Sequence, residues 1–573
     1  MPAHNSDIAD VLERTADLLE IKGDNPFRVR AYRTAARTVK SLPRSAADLI
    51  ADGEDLSDYP GIGKDLAQKI GQIAETGSFD LLEQLKEKIP EQLSRLMGIS
   101  GLGAKRVGAI YQHLKVTDLE QLKEAVDSGR IRGLEGFGKK TEQNLREGIE
   151  RLQRHKATRT KLAVVAEIAG PLLDYLGGEK GVVNISAAGS FRRRRETVGD
   201  LDILVTCRRG SHIMDRFTAY EDVRKVVSKG RTRCTVLLRS GLQVDVRVVR
   251  QASYGAALLY FTGSKEHNIA VRKIGVQKNF KLNEYGLFNG RKRVAGKSEA
   301  EVYKKIGLSY IEPELRENRG EVEAAQDNNL PELVRPDHIK GDLHIHTKYT
   351  DGHNTIEEMA RAAQNLGYSY IAITDHSQHV TVAGGLRPKE LRKQLEEIDR
   401  INDKLDSVTI LKGSEVDILA DGGLDLPNEV LEELDLCVCA VHYKFNLPRQ
   451  QQTERIIRAM DNRYFNILAH PTGRLINERP GYDVDTERII TAAAERGCLL
   501  ELNAHPDRLD LNDIYCKMAK DMGVKVAVST DSHQAAHLNY MRFGIGQARR
   551  GWLEPEDIAN TRSIGRLKSL LKR

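Results

Sequence analysis

Apolar residues recur along this chain in three different rhythms, and each rhythm predicts a different architecture. Between about residues 5 and 155 they recur at helical spacing between glycine-rich turns, which predicts a series of short amphipathic helices. Between about 160 and 310 a helical run precedes several strand-like runs. The helix is predicted at residues 161–176, and the strands at 182–187, 201–206, 235–238 and 243–249.

The third rhythm, from about residue 339 to 573, consists of short continuous apolar runs that predict buried strands. These runs lie at residues 370–373, 408–411, 436–441, 467–469, 499–502 and 524–528. Nearly every run is closed by a histidine or a carboxylate, and eleven of the sixteen histidines lie between His338 and His537. Because the ends of successive strands meet on one rim of a β/α barrel, the pattern predicts a metal cluster there.

Composition narrows the class of protein. The 573 residues carry a formal net charge of only +6, so any contact with nucleic acid must come from local patches. The six cysteines show no zinc-finger spacing, the N terminus resembles no signal peptide, and no apolar run approaches about eighteen residues. We therefore expect reduced thiols and a cytoplasmic, nucleoid-associated protein rather than a secreted or membrane protein.

Three elements in the helical region share the pattern hydrophobic-Gly-hydrophobic-Gly, followed by a lysine and a helix, at residues 59–64, 99–105 and 134–139. The glycines permit a tight hairpin whose backbone N–H groups, with the N terminus of the next helix, accept a phosphate oxygen. One such element could be a simple turn, but three resemble the helix-hairpin-helix motifs that grip the DNA backbone. The resemblance implies DNA contacts from Gly61, Gly63, Lys64, Gly101, Gly103, Lys105, Gly136, Gly138 and Lys139.

A second motif combines a Gly-Ser turn with spaced aspartates. Gly189 and Ser190 precede Asp200 and Asp202, and Asp245 lies on a later predicted strand. Residues i and i+2 of a strand point to one face, so Asp200 and Asp202 can share metal ions, and Asp245 on a neighbouring strand would complete the site. The alternative is an exposed Asp-x-Asp loop beside a solvated basic run, which the full arrangement disfavours.

This arrangement resembles the nucleotidyltransferase fold and, more closely, the family X DNA polymerases. Residues 260–264, with Asn268 and Arg272, resemble that family's sugar and base segment, and residues 283–287 resemble the element that follows it. The resemblance implies two-metal phosphoryl transfer, with Mg²⁺ or Mn²⁺ held by Asp200, Asp202 and Asp245. It also implies nucleotide contacts from Arg159 (by spacing alone), Gly189, Ser190, Arg193, Gly199, Tyr260, Phe261, Gly263, Asn268 and Arg272.

Lys69 occupies the position at which the lyase members of this family carry a Schiff-base lysine. Such an amine reacts only if its pKa is depressed enough for it to be partly neutral. Phe27 and Arg28 stand where eukaryotic lyase members carry a histidine and a lysine for the 5′-phosphate. Two interpretations therefore stay open for Lys69, as a 5′-deoxyribose-phosphate or abasic-site lyase and as a plain phosphate contact.

The C-terminal segment resembles a PHP (polymerase and histidinol phosphatase) domain, a distorted seven-stranded β/α barrel that holds three metal ions. The resemblance implies one ion held by His344, His346, Glu415 and Asp531, a second by Glu415, His442 and His470, and a third by Asp351, His376 and His533. Mixed nitrogen and oxygen ligands suit Zn²⁺, Mn²⁺ or Fe²⁺ without choosing among them. Four further histidines match no motif position and are interpreted as rim or surface residues: His353, His379, His505 and His537.

Together these resemblances imply a multidomain fold, with an N-terminal all-α helix-hairpin-helix region, an α+β nucleotidyltransferase palm and thumb, and a C-terminal distorted (β/α)₇ PHP barrel. The expected domains are a lyase-type helical domain (1–85), a fingers-like hairpin domain (86–155), a palm (156–240, extending to about 255), a thumb-like domain (256–315), a polar linker (316–338) and the PHP domain (339–573).

The implied function is template-directed DNA synthesis that fills short gaps in base excision repair. The PHP domain would add a 3′–5′ exonuclease or phosphoesterase activity and, as a further activity, cleavage at abasic sites. The implied partners are gapped or nicked double-stranded DNA and dNTPs, bound by a monomer without membrane contacts. Two alternatives stay open, namely a catalytically idle barrel that serves as a scaffold and a template-independent nucleotidyltransferase that acts on RNA or a small molecule.

Overall fold

The computed structural model describes residues 5–573 except 41, 43–44, 91–92, 98–101, 135–136, 139–141, 143–144, 147–158 and 209–211. The chain divides into two compact units, Met1–Thr158 and Arg159–Arg573. Each unit has its own buried apolar core, so each is described by itself.

The first unit is helical, as the spacing of apolar residues predicts. Its described helices are Asn5–Lys22, Pro26–Lys40, Ala46–Ala51, Lys64–Thr76, Asp80–Lys88, Leu93–Leu96, Ala104–Leu114 and Leu119–Asp127, with single 3₁₀ turns at Leu56–Asp58 and Ile131–Gly133. The buried side chains form one cluster that includes Leu12, Tyr32, Ile70, Val107 and Leu122. Each helix contributes one apolar stripe to this core, which is how short amphipathic helices are stabilised.

The second unit begins with a five-stranded sheet, flanked by helices Leu162–Gly177, Gly189–Arg192 and Ile213–Thr218. In spatial order its strands are Val182–Ala187, Asp200–Cys207, Gln243–Val248, Arg233–Leu238 and Val223–Lys229. Only the pair Asp200–Cys207 and Gln243–Val248 is parallel. The edge strand Val223–Lys229 was not predicted, because most of its side chains are exposed and the run shows no apolar alternation.

A smaller thumb-like segment follows the sheet. Its helices are Tyr254–Thr262, Lys265–Gln277, Glu299–Lys305 and Glu321–Gln326, and its strands Lys281–Asn283, Gly286–Asn289 and Lys292–Ala295 form an antiparallel sheet. The polar segment 316–338, expected to be a linker, is folded rather than extended. Val322, Ala325 and Leu333 are buried in the same cluster as Val302 and Ile306, so much of the segment belongs to the thumb-like core.

The last part of the chain is a barrel of seven parallel strands in sequential order. The strands are Gly341–Asp342, Tyr370–Ile373, Thr409–Asp417, Leu436–Ala440, Ile467–Leu468, Leu499–Asn503 and Val526–Ser529. A parallel bridge between Ile345 and Ser532 links the segments after the first and last strands, so the sheet is nearly closed. The surrounding helices are Ile356–Asn365, Pro388–Asn402, Asn428–Leu431, Arg449–Ala459, Thr486–Arg496, Asp513–Asp521, Met541–Arg550 and Ile564–Leu571.

Side chains alternate between the inside and the outside of the barrel wall. Val438 and Ala440 belong to the interior cluster, whereas Cys437 and Cys439, on the same strand, belong to the layer between strands and helices. All six cysteines are unpaired. Within the part of the chain that the structure describes, no helix is both long and apolar enough to cross a membrane.

The barrel packs directly against the five-stranded sheet. Ile476, Leu509 and Phe543 of the barrel are buried in the apolar core of the sheet. At the edge of this contact the Nζ of Lys161 lies 2.5 Å from a carboxylate oxygen of both Glu478 and Asp507. The two parts of the second unit therefore share one interface with an apolar centre and an ionic rim.

Candidate active sites

Three aspartates come together on the parallel pair of strands in the five-stranded sheet. Asp202 stands opposite Asp245 in the register of these two strands, and Asp200 lies on the same strand face as Asp202. Asp245 is buried and accepts hydrogen bonds from Thr235 Oγ1 at 2.6 Å and from Gln243 Nε2 at 2.9 Å. The carboxylate of Asp245 is therefore held in place, while Asp200 remains exposed.

Negative charge is concentrated at this point. Burial, together with the charges of Asp200 and Asp245, raises the pKa of Asp202 to about 7. Three carboxylates this close together form a site that favours divalent cations, although the Arg233 guanidinium balances part of their charge, with its Nη2 3.2 Å from Asp245 Oδ1. The donor set therefore fits the Mg²⁺ or Mn²⁺ ions that the sequence implied.

A cleft of about 870 Å³ opens beside the aspartates. Eleven of the residues assigned from the sequence to metal or nucleotide line it together: Arg159, Gly189, Ser190, Arg193, Asp200, Asp202, Tyr260, Phe261, Gly263, Asn268 and Arg272. Asp245 does not line the cleft, but it stands opposite Asp202, which does. Gly199 lies between Val198 and Asp200, and a side chain there would begin 3.1 Å from Arg159 Nη1.

Both the backbone conformation and the close packing of Gly189, in the Gly-Ser turn, require a glycine. Gly189 has a φ of +62°, and a Cβ added to it would lie 2.7 Å from Asp202 Oδ2. Only glycine adopts this backbone conformation without strain and lets the turn approach the carboxylate so closely. The turn therefore brings backbone N–H groups and the Ser190 hydroxyl next to the aspartates.

On the thumb-like side of the cleft, Asn268 Nδ2 donates to the carbonyl oxygen of Tyr260 at 2.7 Å. The Asn268 Oδ1 is buried and has no hydrogen-bond partner among the described residues, which leaves an acceptor available to a ligand. The guanidinium of Arg272 lies 5.0 Å from the centre of the Tyr260 ring. This wall combines an aromatic surface with polar groups, as a nucleoside pocket requires.

The barrel rim holds the second site. The ligand atoms of the first predicted ion face one another, because His346 Nε2 lies 3.1 Å from His344 Nε2, 3.3 Å from Asp531 Oδ1 and 3.5 Å from Glu415 Oε2. Ligand atoms that each lie about 2.1 Å from a shared ion are separated by roughly 3.0–3.4 Å. The four residues therefore have the spacing of a coordination shell.

The other two ligand sets assemble around Glu415 and around Asp351. Glu415 Oε1 lies 3.2 Å from His442 Nε2 and 2.9 Å from His470 Nε2. Asp351 Oδ2 lies 3.5 Å from His376 Nε2 and 3.4 Å from His533 Nε2. All nine predicted positions thus converge on one rim of the barrel.

Two features fit metal ions better than an internal hydrogen-bond network. His346 Nδ1 is buried without a hydrogen-bond partner among the described residues, although Asp351 Oδ1 lies only 3.8 Å away. Burial alone would raise the pKa of Glu415, yet His442 and His344 hold it well below its ordinary value. The cluster is therefore built around buried carboxylates that stay charged and attract cations.

The same carboxylate charge acts on the histidines. Burial alone would lower the pKa of His376 and His442, but Glu415 raises them to about 10 and about 9. The pKa of His346 instead falls to about 4, because burial and the neighbouring His376 both disfavour its cation. The charge of Glu415 therefore favours cations beside it at this rim.

Two carboxylates that the sequence analysis did not identify contact the ring nitrogens of ligand histidines that face away from Glu415. Glu501 Oε1 lies 2.7 Å from His344 Nδ1, and Asp417 Oδ1 lies 2.6 Å from His442 Nδ1. Both carboxylates are fully buried, and such partners fix the ring orientation of a ligating histidine. Both residues are carboxylates within an apolar strand, which is the sequence signal that could have identified them. Glu501 lies in strand 499–503, and Asp417 lies two residues after Glu415.

Replacing Asp417 with asparagine is expected to lower the affinity of the barrel for Zn²⁺ by about 10- to 100-fold, because His442 loses the partner that sets its orientation and basicity. Competition against a chromophoric zinc chelator measures this change. Asp399→Asn removes an exposed carboxylate of the same domain and should leave the affinity unchanged. Equal affinities for the two variants would contradict the assigned role of Asp417.

The four unassigned histidines lie at the edge of the rim. His353 and His379 are exposed, and His505 and His537 are partly buried beside Tyr540. His379 Nε2 lies 3.9 Å from Asp417 Oδ2. That none of the four is a metal ligand stays a prediction.

The structure describes the first predicted hairpin of the first unit in full and the other two in part. Gly61 has a φ of +88°, and its Cβ would lie 2.4 Å from Thr34 Cγ2, so glycine is required there. Gly63 and Gly103 precede helices Lys64–Thr76 and Ala104–Leu114 and have no side chain that could cap them, which leaves helix N–H groups for a phosphate. Lys64 is exposed.

Part of the hairpin prediction lies outside the described residues. This applies to Gly101, Gly136 and Lys139, and to the side chain of Lys105. In the third hairpin, the N–H of Phe137 donates to the Leu134 carbonyl at 3.0 Å, and the N–H of Glu142 to the Gly138 carbonyl at 3.1 Å. The described part of this element is therefore a turn followed by helical hydrogen bonding.

Lys69 is held in its charged form. Burial alone would lower its pKa, but Asp65, whose Oδ2 lies 2.6 Å from Lys69 Nζ, and the nearby Tyr32 raise the pKa above the ordinary value. The ammonium group also lies 5.4 Å from the centre of the Tyr32 ring. This environment is the opposite of the one that activates a Schiff-base lysine.

Borohydride trapping should therefore give little covalent product between this protein and DNA with a 5′-deoxyribose phosphate at neutral pH. Asp65→Asn removes the carboxylate that raises the pKa of Lys69, so it is expected to increase trapping several-fold. Lys69→Ala, compared with Lys64→Ala, shows whether any product depends on Lys69. Strong trapping by the wild-type protein that Lys69→Ala abolishes would contradict the inhibitory role of Asp65.

Comparison with known proteins gives matches along the whole chain. The matching family descriptions are a helix-hairpin-helix domain (residues 3–79), a SAM-like helix-hairpin-helix tandem (93–151), DNA polymerase beta palm (140–256), DNA polymerase beta thumb (257–317) and a PHP domain (342–505). The palm and thumb matches cover the three aspartates and the cleft. The PHP match covers seven of the nine rim ligands.

Among curated relatives, the DNA polymerase/3′-5′ exonuclease PolX of Bacillus subtilis (strain 168) is 37% identical over 574 residues, which span 100% of both chains. A probable phosphatase of Thermoanaerobacter sp. (strain X514) is 32% identical over 243 residues, which cover 40% of this chain and 94% of that protein. DNA polymerase lambda of Rattus norvegicus is 26% identical over 348 residues, which cover 55% of this chain and 56% of that protein.

Proposed function

Because this chain belongs to the family X DNA polymerases that carry a C-terminal PHP domain, we propose that it adds nucleotides to a primer under the direction of a template. We further propose that its substrate is a short gap of the kind that base excision repair leaves. The observation that carries this proposal is the three-aspartate cluster at the mouth of a cleft lined by nucleotide-type residues.

The residues of the cleft divide the work of nucleotide addition. Asp200, Asp202 and Asp245 would hold two divalent ions, Mg²⁺ or Mn²⁺. When bound, such ions supply charge stabilisation to the attacking and leaving oxygens of phosphoryl transfer. Asp245, fixed by Thr235 and Gln243, helps to remove the proton of the primer 3′-hydroxyl.

The remaining residues hold the incoming nucleotide. The backbone of the Gly189–Ser190 turn, the Ser190 hydroxyl and the Arg193 guanidinium bind the triphosphate, with Arg159 and Gly199 beside them. Tyr260, Phe261 and Gly263 face the deoxyribose. Asn268 and Arg272 approach the minor-groove side of the new base pair, and the unsatisfied Asn268 Oδ1 supplies an acceptor there.

The barrel would remove nucleotides from the 3′ end of a DNA strand, as a metal-dependent phosphoesterase. Its nine rim residues would hold three divalent ions, Zn²⁺, Mn²⁺ or Fe²⁺, with Glu415 belonging to the first two ligand sets. When bound, such ions would supply charge stabilisation to a phosphate and lower the pKa of water at the rim. Cleavage at abasic sites is a further activity that the same rim would support.

DNA would be held through its phosphates by the hairpins of the first unit, so binding would not depend on sequence. A gapped or nicked duplex is the expected partner. We propose that the protein acts as a monomer on DNA at the nucleoid, in the cytoplasm.

The test compares nucleotide addition on a one-nucleotide-gapped duplex with addition on an unpaired single strand, using each dNTP alone. The proposal predicts that the complementary dNTP alone is added efficiently and only on the gapped duplex. Addition of all four dNTPs to the single strand would instead show a template-independent nucleotidyltransferase. A 5′-labelled strand incubated without dNTPs reports shortening from its 3′ end. Shortening that is retained in Asp202→Asn and lost in His344→Ala would exclude an idle barrel.

A further inference from the structure

An arginine of the barrel contacts two residues, Arg193 and Glu317, that line the nucleotide cleft. Arg550 is the last residue of helix Met541–Arg550, and its side chain is only 3% exposed. Its Nη1 donates to the backbone carbonyl of Arg193 at 2.8 Å and to Glu317 Oε1 at 2.9 Å. Its Nη2 donates to Asp513 Oδ2, within the barrel, at 2.6 Å.

Glu317 connects this arginine to the triphosphate side of the cleft. The Nε of Arg193 donates to Glu317 Oε1 at 3.1 Å, and the Nη1 of Arg195 to Glu317 Oε2 at 3.4 Å. Glu317 and Arg193 both line the cleft beside Ser190. Arg550 and Arg193 thus share one carboxylate oxygen, and Arg550 also fixes the backbone of Arg193.

The charges of this network leave a place for an anion. Four arginines (Arg193, Arg195, Arg319 and Arg550) surround two carboxylates, Glu317 and Asp513. Of these residues, Arg193, Arg195 and Glu317 line the cleft, so the network adds positive charge there, beside the carboxylates of Asp200 and Asp202. A triphosphate placed there would balance that positive charge.

In this geometry Glu317 and a bound phosphate would compete for Arg193. Glu317 is 10% exposed, and Arg550 forms an ion pair with it. This ion pair weakens the attraction between Glu317 and Arg193. Without Arg550, Glu317 would be balanced by Arg193 and the more exposed Arg195 alone, and the carbonyl of Arg193 would lose a donor. Arg193 would then be drawn toward Glu317 and away from a bound phosphate.

We propose that Arg550 is a positioning residue for nucleotide addition, so that the PHP barrel supplies a structural part of the triphosphate pocket of the polymerase. Arg550 does not touch the nucleotide and acts by holding Glu317 and the backbone of Arg193. This inference rests on the proposed polymerase function of the cleft. It assigns the barrel a role in DNA synthesis that is separate from its own metal cluster.

The test is steady-state insertion of the complementary dNTP into a one-nucleotide gap by the full chain. Arg550→Gln should raise KM for the dNTP by about tenfold, with kcat and the affinity for gapped DNA changed less than about threefold, since only the triphosphate contact is lost. Arg550→Lys keeps the charge and should recover part of the loss. Shortening of a 3′ end by the barrel reports that each variant is folded.

The matched control is Arg549→Gln, on the same helix. Arg549 also pairs across the interface, with Glu314 at 2.9 Å and the Val334 carbonyl at 3.1 Å, but not with the cleft. Its KM should stay at the wild-type value. In the double variant Arg193→Gln/Arg550→Gln, KM should be no higher than in Arg193→Gln alone, because both changes act through Arg193.

An unchanged KM in Arg550→Gln, with a wild-type enzyme that inserts the nucleotide, would overturn the inference and leave the proposed function intact. Equal increases in Arg549→Gln and Arg550→Gln, or additive increases in the double variant, would also overturn it, since they would indicate a general loosening of the interface. If Arg550→Gln does not fold, an unchanged KM in folded Arg550→Lys overturns it. Absence of insertion by the wild type would remove the proposed function, and the inference with it.

Discussion

Replacing Asp202 with asparagine is expected to reduce nucleotide addition at least about a thousandfold, because the proposed ligand of both polymerase ions is lost and each ion would supply several kcal/mol to the transition state. Asp202 is paired in register with Asp245 and lies beside Asp200. Single-turnover insertion into gapped DNA measures the effect. Asp215→Asn, an exposed change in the same part of the chain, should leave the rate unchanged.

The same substitution is not expected to destabilise the fold in the absence of metal. The pKa of Asp202 is raised from 3.8 to about 7, so folding disfavours its charge, and the metal-free wild type carries a penalty above pH 7 of up to about 4 kcal/mol. The penalty shrinks as the pH falls through 7 and vanishes below about 4. Asp202→Asn should therefore unfold at a higher temperature than wild type at pH 8, and the difference should shrink at pH 5.

Thermal unfolding with and without Mg²⁺ at both pH values checks this account. Mg²⁺ should stabilise the wild type at pH 8 more than it stabilises Asp202→Asn, because a bound cation relieves the same repulsion. A variant that is less stable than the metal-free wild type at pH 8 would show that Asp202 contributes packing or hydrogen bonds rather than electrostatic strain.

Replacing Glu415 with glutamine is expected to have the largest effect on the barrel, because five histidines approach this one carboxylate. Its oxygens lie between 2.9 and 3.5 Å from ring nitrogens of His344, His346, His376, His442 and His470. Loss of the bridging charge should reduce 3′-end shortening at least about a thousandfold and lower the bound metal content. Nucleotide addition in the cleft should remain.

Metal analysis after purification and single-turnover shortening of a labelled strand measure the two effects together. Glu433→Gln removes an exposed carboxylate of the same barrel and serves as the control. Full shortening by Glu415→Gln would show that the rim cluster does not carry the nuclease activity. Loss of nucleotide addition in the same variant, if its thermal unfolding matches that of the control, would contradict the separation of the two sites.

Much of both sites was predictable because catalytic side chains follow strand periodicity. In the barrel the strands run in sequential order, so ligands after each apolar run necessarily share one rim. In the sheet, the i, i+2 spacing of Asp200 and Asp202 predicted a shared face, and the register with Asp245 placed the third carboxylate opposite Asp202. Local pattern and topology thus predicted the rim cluster and the shared face of the aspartates, whereas the individual rim ligands and nucleotide contacts followed from the resemblance to the two families.

What the sequence did not reveal depends on contacts between distant segments. Glu501 lies 157 residues from its partner His344, and Arg550 lies 233 residues from Glu317. No periodicity relates such positions, because they meet only when separate layers of the fold pack. The folded segment at 316–338 was hidden for a related reason, since a few apolar residues such as Val322 and Ala325 are dispersed among charges.

The reactivity of Lys69 could not be predicted from the sequence for a different reason. Its position after the first hairpin agrees with a lyase lysine, but reactivity is decided by the neighbouring charge of Asp65 and the ring of Tyr32. Asp65 is one helical turn away and visible in the sequence, whereas Tyr32 approaches from another helix. The direction of the pKa shift could therefore be read only from the structure.

The most direct test of two separate active sites is a single gel assay on one-nucleotide-gapped DNA with a 5′-labelled primer and Mn²⁺. The wild type is expected to lengthen the primer with dNTPs and to shorten it without them, Asp202→Asn only to shorten it, and Glu415→Gln only to lengthen it. Loss of both reactions in either variant, or shortening that survives in Glu415→Gln, would contradict the assignment of synthesis to the cleft and degradation to the barrel.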